Sequence, residues 1–152
     1  MRKSALVLVS LLVILSACKK KSNSSVVPAI SFTSLTPDSV KNLVLEDTVF
    51  INFHIVDGDG DLTSTAGGVY LKDSRFDSAA AYRLPFPDVP TDAINAKDGL
   101  DATCTVKLDA GRLMNLRPDH LTNDTLSYEL YIVDGAGHES NHVQTSKIYI
   151  HQ

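Results

Sequence analysis

Three aspartates occupy alternate positions in Asp57-Gly58-Asp59-Gly60-Asp61-Leu62. Carboxylates are hard oxygen donors, and glycine lets a backbone fold tightly enough for such oxygens to converge. Hard divalent cations such as calcium take roughly six to eight oxygens from carboxylates, carbonyls and water. The spacing is therefore that of a candidate cation loop. It is not an EF-hand. Counted from Asp57, the sixth position is Leu62 where that loop needs Gly, and the twelfth is Gly68 where it needs a bidentate Glu. A second acidic turn, Asp134-Gly135-Ala136-Gly137-His138-Glu139-Ser140-Asn141, supplies further oxygen-bearing side chains in Asp134, Glu139 and Asn141. The same residues also have a plainer reading. Asp and Gly are common turn formers, and Asp side chains hold their own backbone in Asx-turns. Calcium site and metal-free turn both stand on these residues alone.

Both acidic turns follow strand patterns. Ile51, Phe53 and Ile55 fall on one face of an extended run, with Asn52, His54 and Val56 on the other. Tyr128, Leu130 and Ile132 repeat the plan. One dry face beside one mostly polar face marks an antiparallel sheet with a solvated side. Residues 29–35, 69–73, 102–108 and 145–150 read as further strands, with Cys104, Val106, Leu108, Ile148 and Ile150 inward. Three prolines in residues 84–90 remove ladder donors and confine that stretch to an edge, with Phe86 as its plug. An alanine cluster in residues 74–82 reads as a helical turn, and residues 109–117 as a helical turn or loop stopped by Pro118.

Short strands, turn signals and no strong amphipathic helix predict an all-β chain, a single antiparallel β-sandwich over residues 29–152. The hydrophobic share of 43% and charged share of 21% are those of a folded domain, not a disordered one. A net charge of −4 gives no reason to expect nucleic acid as a partner.

The N-terminus reads as an address. Arg2 and Lys3 precede an apolar run from Ala5 to Leu15, too short for a comfortable membrane span and suited to a signal-peptide core. It ends Leu15-Ser16-Ala17-Cys18. These four residues resemble the lipobox of bacterial lipoproteins. The resemblance implies a signal peptide over residues 1–17, cleavage before Cys18 and acylation of that residue. Residues 18–28 then form the lipidated cysteine and a flexible linker, with Lys19-Lys20-Lys21 beside the anchor. Lys19 stands where enteric lipoproteins kept in the inner membrane carry Asp, so the resemblance implies a cell envelope location at the outer membrane. With Cys18 acylated, Cys104 has no partner for an intrachain disulfide.

Residues 124–141 resemble the late strand and following turn of fibronectin type III and bacterial Ig-like modules, with His138 where Asn is usual. Tyr128 is then the candidate tyrosine corner. Residues 29–151 as a whole are similar to small Bacteroidetes-type envelope lipoproteins. They share the Asp57-Gly58-Asp59-Gly60-Asp61-Leu62 loop, the proline-rich Leu84 to Pro90 stretch and the Asp134 to Asn141 turn. That group implies an Ig-like sandwich and carries no established activity. In such a sandwich the two acidic turns emerge at one end, which brings Asp134, Glu139 and Asn141 toward Asp57, Asp59 and Asp61.

No Gly-x-Ser-x-Gly elbow, His-Glu-x-x-His or phosphate loop occurs. The expectation is not an enzyme. It is a lipid-anchored module that binds an envelope protein or glycan, with membrane contact through acyl chains on Cys18. The alternative is a structural or accessory subunit of an outer-membrane complex with no ligand of its own.

Overall fold

The computed structural model describes residues 25–62, 65–86, the backbone of 94–95, and 99–152. The expected signal peptide, Cys18, residues 19–24 of the linker and residues 87–90 of the proline-rich stretch lie outside them. In chain order the elements are β1 (Ala29–Thr36), β2 (Ser39–Lys41), β3 (Thr48–Asp57), β4 (Gly68–Asp73), β5 (Tyr82–Leu84), β6 (Ile94–Asn95), β7 (Gly99–Asp109), α1 (Ala110–Leu113), β8 (Asn123–Leu126), β9 (Tyr128–Val133), β10 (Val143–Gln144) and β11 (Ile148–His151).

One sheet has the order β1-β3-β7-β6, a second β10-β9-β4-β5 and a third β2-β11-β8. Strands β8 and β9 are one path broken at Ser127, and β10 and β11 follow each other along it, so the third sheet continues the second. All pairs are antiparallel except β2 with β11, which is parallel. One parallel pair thus accompanies the expected antiparallel sheets. Its origin is the turn at Pro37, which has no N–H to donate. Before it β1 pairs with β3; after it β2 joins β11 in the other sheet.

The two-residue period builds the core. Val49, Ile51 and Phe53 of β3 lie opposite Leu108, Val106 and Cys104 of β7, all buried. Val69 and Leu71 of β4 and Tyr128, Leu130 and Ile132 of β9 join the same core. Each fully buried aliphatic or aromatic side chain contributes about 1.5–3 kcal/mol by leaving water. Cys104 is a core residue, its thiol pushed up to about 11 by burial, so little of it is the reactive thiolate. Phe86 is buried beside the edge strand β5, in the plugging role expected of it.

Tyr128 is fully buried, and its hydroxyl donates to the Leu113 carbonyl at 3.2 Å. That bond ties the start of β9 to α1, in the stretch expected as a helical turn or loop. Residues 74–81 form turns and not a helical turn. The Arg75 amide donates to Asp73 Oδ1 at 2.9 Å, and this side-chain-to-backbone bond competes with helix.

Asp73 and Asp124 are buried at this end of the sandwich. Arg75 is buried between them, bonding Asp73 Oδ2 at 2.7 Å and Asp124 Oδ2 at 3.0 Å, and Arg117 bonds Asp124 Oδ1 at 2.9 Å. Burial alone would raise the Asp124 pKa. Hydrogen bonds from Arg117, the Thr125 amide and Arg75 outweigh burial and hold it well below the usual carboxylate range. A depressed folded pKa stabilises at pH above the unfolded value of about 4, and that stabilisation is lost as pH falls toward the folded value. Asp124→Asn is expected to cost about 3–5 kcal/mol at neutral pH, because it strands buried arginine charge. Urea unfolding checks this, and the gap between variant and wild type should narrow below about pH 4.

Candidate metal centre

The inward face of β3 does not stop at its last apolar residue. Val49, Ile51, Phe53 and Ile55 are inside, and the next position on that face is Asp57, 0% exposed. The inward face of β9 behaves the same way. Tyr128, Leu130 and Ile132 lead directly to Asp134, also 0% exposed. Strand period thus carries a carboxylate into the dry interior at the end of each of two strands.

Beyond Asp57 the chain turns through Gly58, Asp59, Gly60 and Asp61. Gly60 has φ +66°, in the left-handed region that glycine enters without steric cost. The turn gathers one carboxylate oxygen from each of Asp57, Asp59 and Asp61 within 4.8 Å of one another. Asp57 lies at the buried base, Asp61 is half-buried and Asp59 is exposed at the lip. Gly99, at φ +78°, starts β7 beneath this loop. A Cβ there would stand 2.1 Å from the Asp57 carbonyl oxygen, so the close approach requires glycine.

The two acidic turns meet. The Gly135 amide donates to the Asp61 carbonyl at 3.1 Å. Asp134 is held by His138, whose amide reaches Asp134 Oδ1 at 2.7 Å and whose Nδ1 reaches Oδ2 at 2.8 Å. The linker joins them too, the Gly58 amide donating to the Ser25 carbonyl at 2.8 Å.

Glu139 and Asn141, expected as ligands, are engaged elsewhere. Glu139 bridges to Val133 and its carboxylate meets His142 Nε2 at 3.0 Å. His142 also meets Glu129 and stacks on Tyr131, away from the aspartates. The Asn141 amide is spent on β1, accepting from the Ile30 N–H at 2.8 Å and donating to the Ile30 carbonyl at 2.9 Å.

The electrostatics at this end are unbalanced. Both oxygens of Asp57 and Oδ1 of Asp61 are buried with no hydrogen-bond partner. Leaving a buried polar group unpaired costs about 1–3 kcal/mol, and more for a charge. Burial first, then Asp59, Asp61 and Asp134 nearby, push the Asp57 pKa up to about 7. Asp61 is raised by burial, Asp134 and Asp59, against opposing amides of Gly135 and Ala136. His138 is raised chiefly by its bond to Asp134. Among the described residues, that histidine is the basic side chain paired with a carboxylate here. At the other end of the sandwich two arginines serve the equivalent aspartates.

The Asp57, Asp59 and Asp61 cluster could hold a metal ion. Three convergent carboxylates, one of them buried and unsatisfied, are a donor set a hard cation takes. No protein-family model matches the chain, and no match was found among curated proteins.

The metal-free protein should lose stability as pH rises. A carboxyl whose folded pKa is raised keeps a proton that the unfolded chain releases near pH 4, so stability falls from about pH 4 to about 7 and then levels. In chelator, the urea midpoint should drop more between pH 5 and pH 8 for the wild type than for Asp57→Asn. The variant should be the more stable protein at pH 8.

Proposed function

We propose that the chain is a lipid-anchored cell-envelope protein. In this reading its Ig-like sandwich is a non-enzymatic binding module for a protein or glycan, with loops at one end ordered by calcium. Asp57 carries the cation part of the reading, because a fully buried carboxylate with no partner asks for positive charge. Asp57, Asp59 and Asp61 would hold the ion, with loop carbonyls and water completing it. Asp134 is the next carboxylate, kept in place by His138. Glycine-spaced loops suit the larger, adaptable shell of calcium better than the strict octahedron of magnesium.

The Ig-like part is supported by the strand order. An early strand split between both sheets, β3 beside β7, and β9 between β4 and β10 follow the layout of such modules. The Tyr128 bond to Leu113 adds their characteristic corner. The envelope part is supported by Leu15-Ser16-Ala17-Cys18 and the apolar run before it. Several acyl chains, at about 0.8 kcal/mol per buried methylene, hold a protein where one chain would not.

Calcium at about a hundredfold excess over its Kd should stabilise the protein by about 2.7 kcal/mol. That appears as a raised melting temperature in detergent solution, and Asp59→Ala should abolish it. No response to calcium would leave the aspartates as turn residues. Cys18→Ser should release the protein from the membrane fraction; unchanged fractionation would refute the anchor.

A further inference from the structure

We propose that the aspartate end of the sandwich faces the membrane holding Cys18, and that the cation there takes a phospholipid headgroup phosphate as a further ligand. This rests on the anchor and the cation of the preceding reading.

The placement comes from where the linker joins the domain. The Ser25 carbonyl accepts from the Gly58 amide, inside the aspartate loop itself. The chain then turns, with the Val27 amide donating to Ser25 Oγ at 3.0 Å, and Pro28 is buried. Ala29 pairs with Val56, one residue before Asp57. The linker therefore leaves the domain at the carboxylates. Seven residues lead from Cys18 to Ser25, a reach of at most about 25 Å when fully extended. Strand β3, with 10 residues, is about 33 Å long at about 3.3 Å per residue. The opposite end of the sandwich cannot stand on the membrane with the aspartates uppermost, because the linker is shorter than the strand.

The ligand comes from the shape of the cluster. Asp57 closes the base and the exposed Asp59 forms the lip, so an ion held by the three carboxylates has its open positions toward the outside. Three carboxylates leave places unfilled in a shell of roughly six to eight oxygens. Phosphate is a hard anionic oxygen donor carried by the surface this opening faces. Without the ion, three carboxylates repel it. With the ion most of their charge is offset.

The test uses the full lipidated chain in two kinds of vesicle, phosphatidylcholine and digalactosyl diacylglycerol. Both are uncharged overall, and only the first carries phosphate. Half-saturating calcium, read by calorimetric titration, should be about tenfold lower on phosphatidylcholine, the effect of one added ligand worth about 1.4 kcal/mol. Asp59→Asn should lose the difference. Equal half-saturation in both vesicles, with calcium still bound, would overturn the headgroup ligand and leave the cation reading intact. No calcium binding in either would overturn both. Millimolar inorganic phosphate on galactolipid vesicles should change nothing. If it reproduced the gain, the site would be one for free phosphate, and its assignment to the membrane would be wrong.

Discussion

Side chains on a strand alternate strictly, and the apolar positions here fix which parity is dry. Four strands run their dry parity into an aspartate. On β3 it is Asp57, on β4 Asp73, and β8 and β9 carry Asp124 and Asp134. Removing a carboxylate from water is expensive, and the fold cannot avoid it without giving up Phe53, Leu71 or Leu130. The two ends of the sandwich meet this cost differently. At the Asp73 end, Arg75 and Arg117 enter with fixed forks and satisfy the oxygens. At the Asp57 end, His138 satisfies Asp134 while both oxygens of Asp57 stay unpaired. The asymmetry separates an end whose buried carboxylates are met by arginines from one whose aspartate cluster could hold a metal ion.

Much of the frame was legible from alternation alone. The dry faces of β3, β7 and β9 and the burial of Phe86 follow from residue types, while residues 109–117 left helical turn and loop both open. The gathering of three carboxylates follows too, because glycines between them leave the loop few other shapes. Extending the parity of β3 by one step would have placed Asp57 inside and set it apart from Asp59. Glu139 and Asn141 were harder, because their orientation depends on how the turn after β9 closes, and that closure uses the bridge from Glu139 to Val133. The Arg75 network was illegible for a simpler reason. Its partners lie 49 residues apart, and no local pattern joins Arg75 to Asp124. The alanine cluster read as a helical turn on propensity, and a single carboxylate at Asp73 redirected the backbone.

Hydrogen bonds at the corners keep these ends in register. Tyr128 and Leu113 lock the path between β7 and β8, and Thr145 Oγ1 accepts from the Tyr128 amide at 2.9 Å where β9 passes β10. Ser140 serves the Ile132 amide in the same way one turn later. These hydroxyls fill ladder positions left vacant where the strand path breaks, so the sheet bends without exposing backbone groups.

Asn141 has a consequence for how copies of the chain behave beside one another. Its amide meets both the N–H and the carbonyl of Ile30, in the manner of a neighbouring strand. The register of β1 also slips between Phe32 and Ser34, a bulge that bends the border of the sheet. An open border is a template on which identical molecules polymerise. Along β1 the template is interrupted at one place by a side chain and at the next by a kink, so molecules crowded shoulder to shoulder find no continuous ladder to extend along this border.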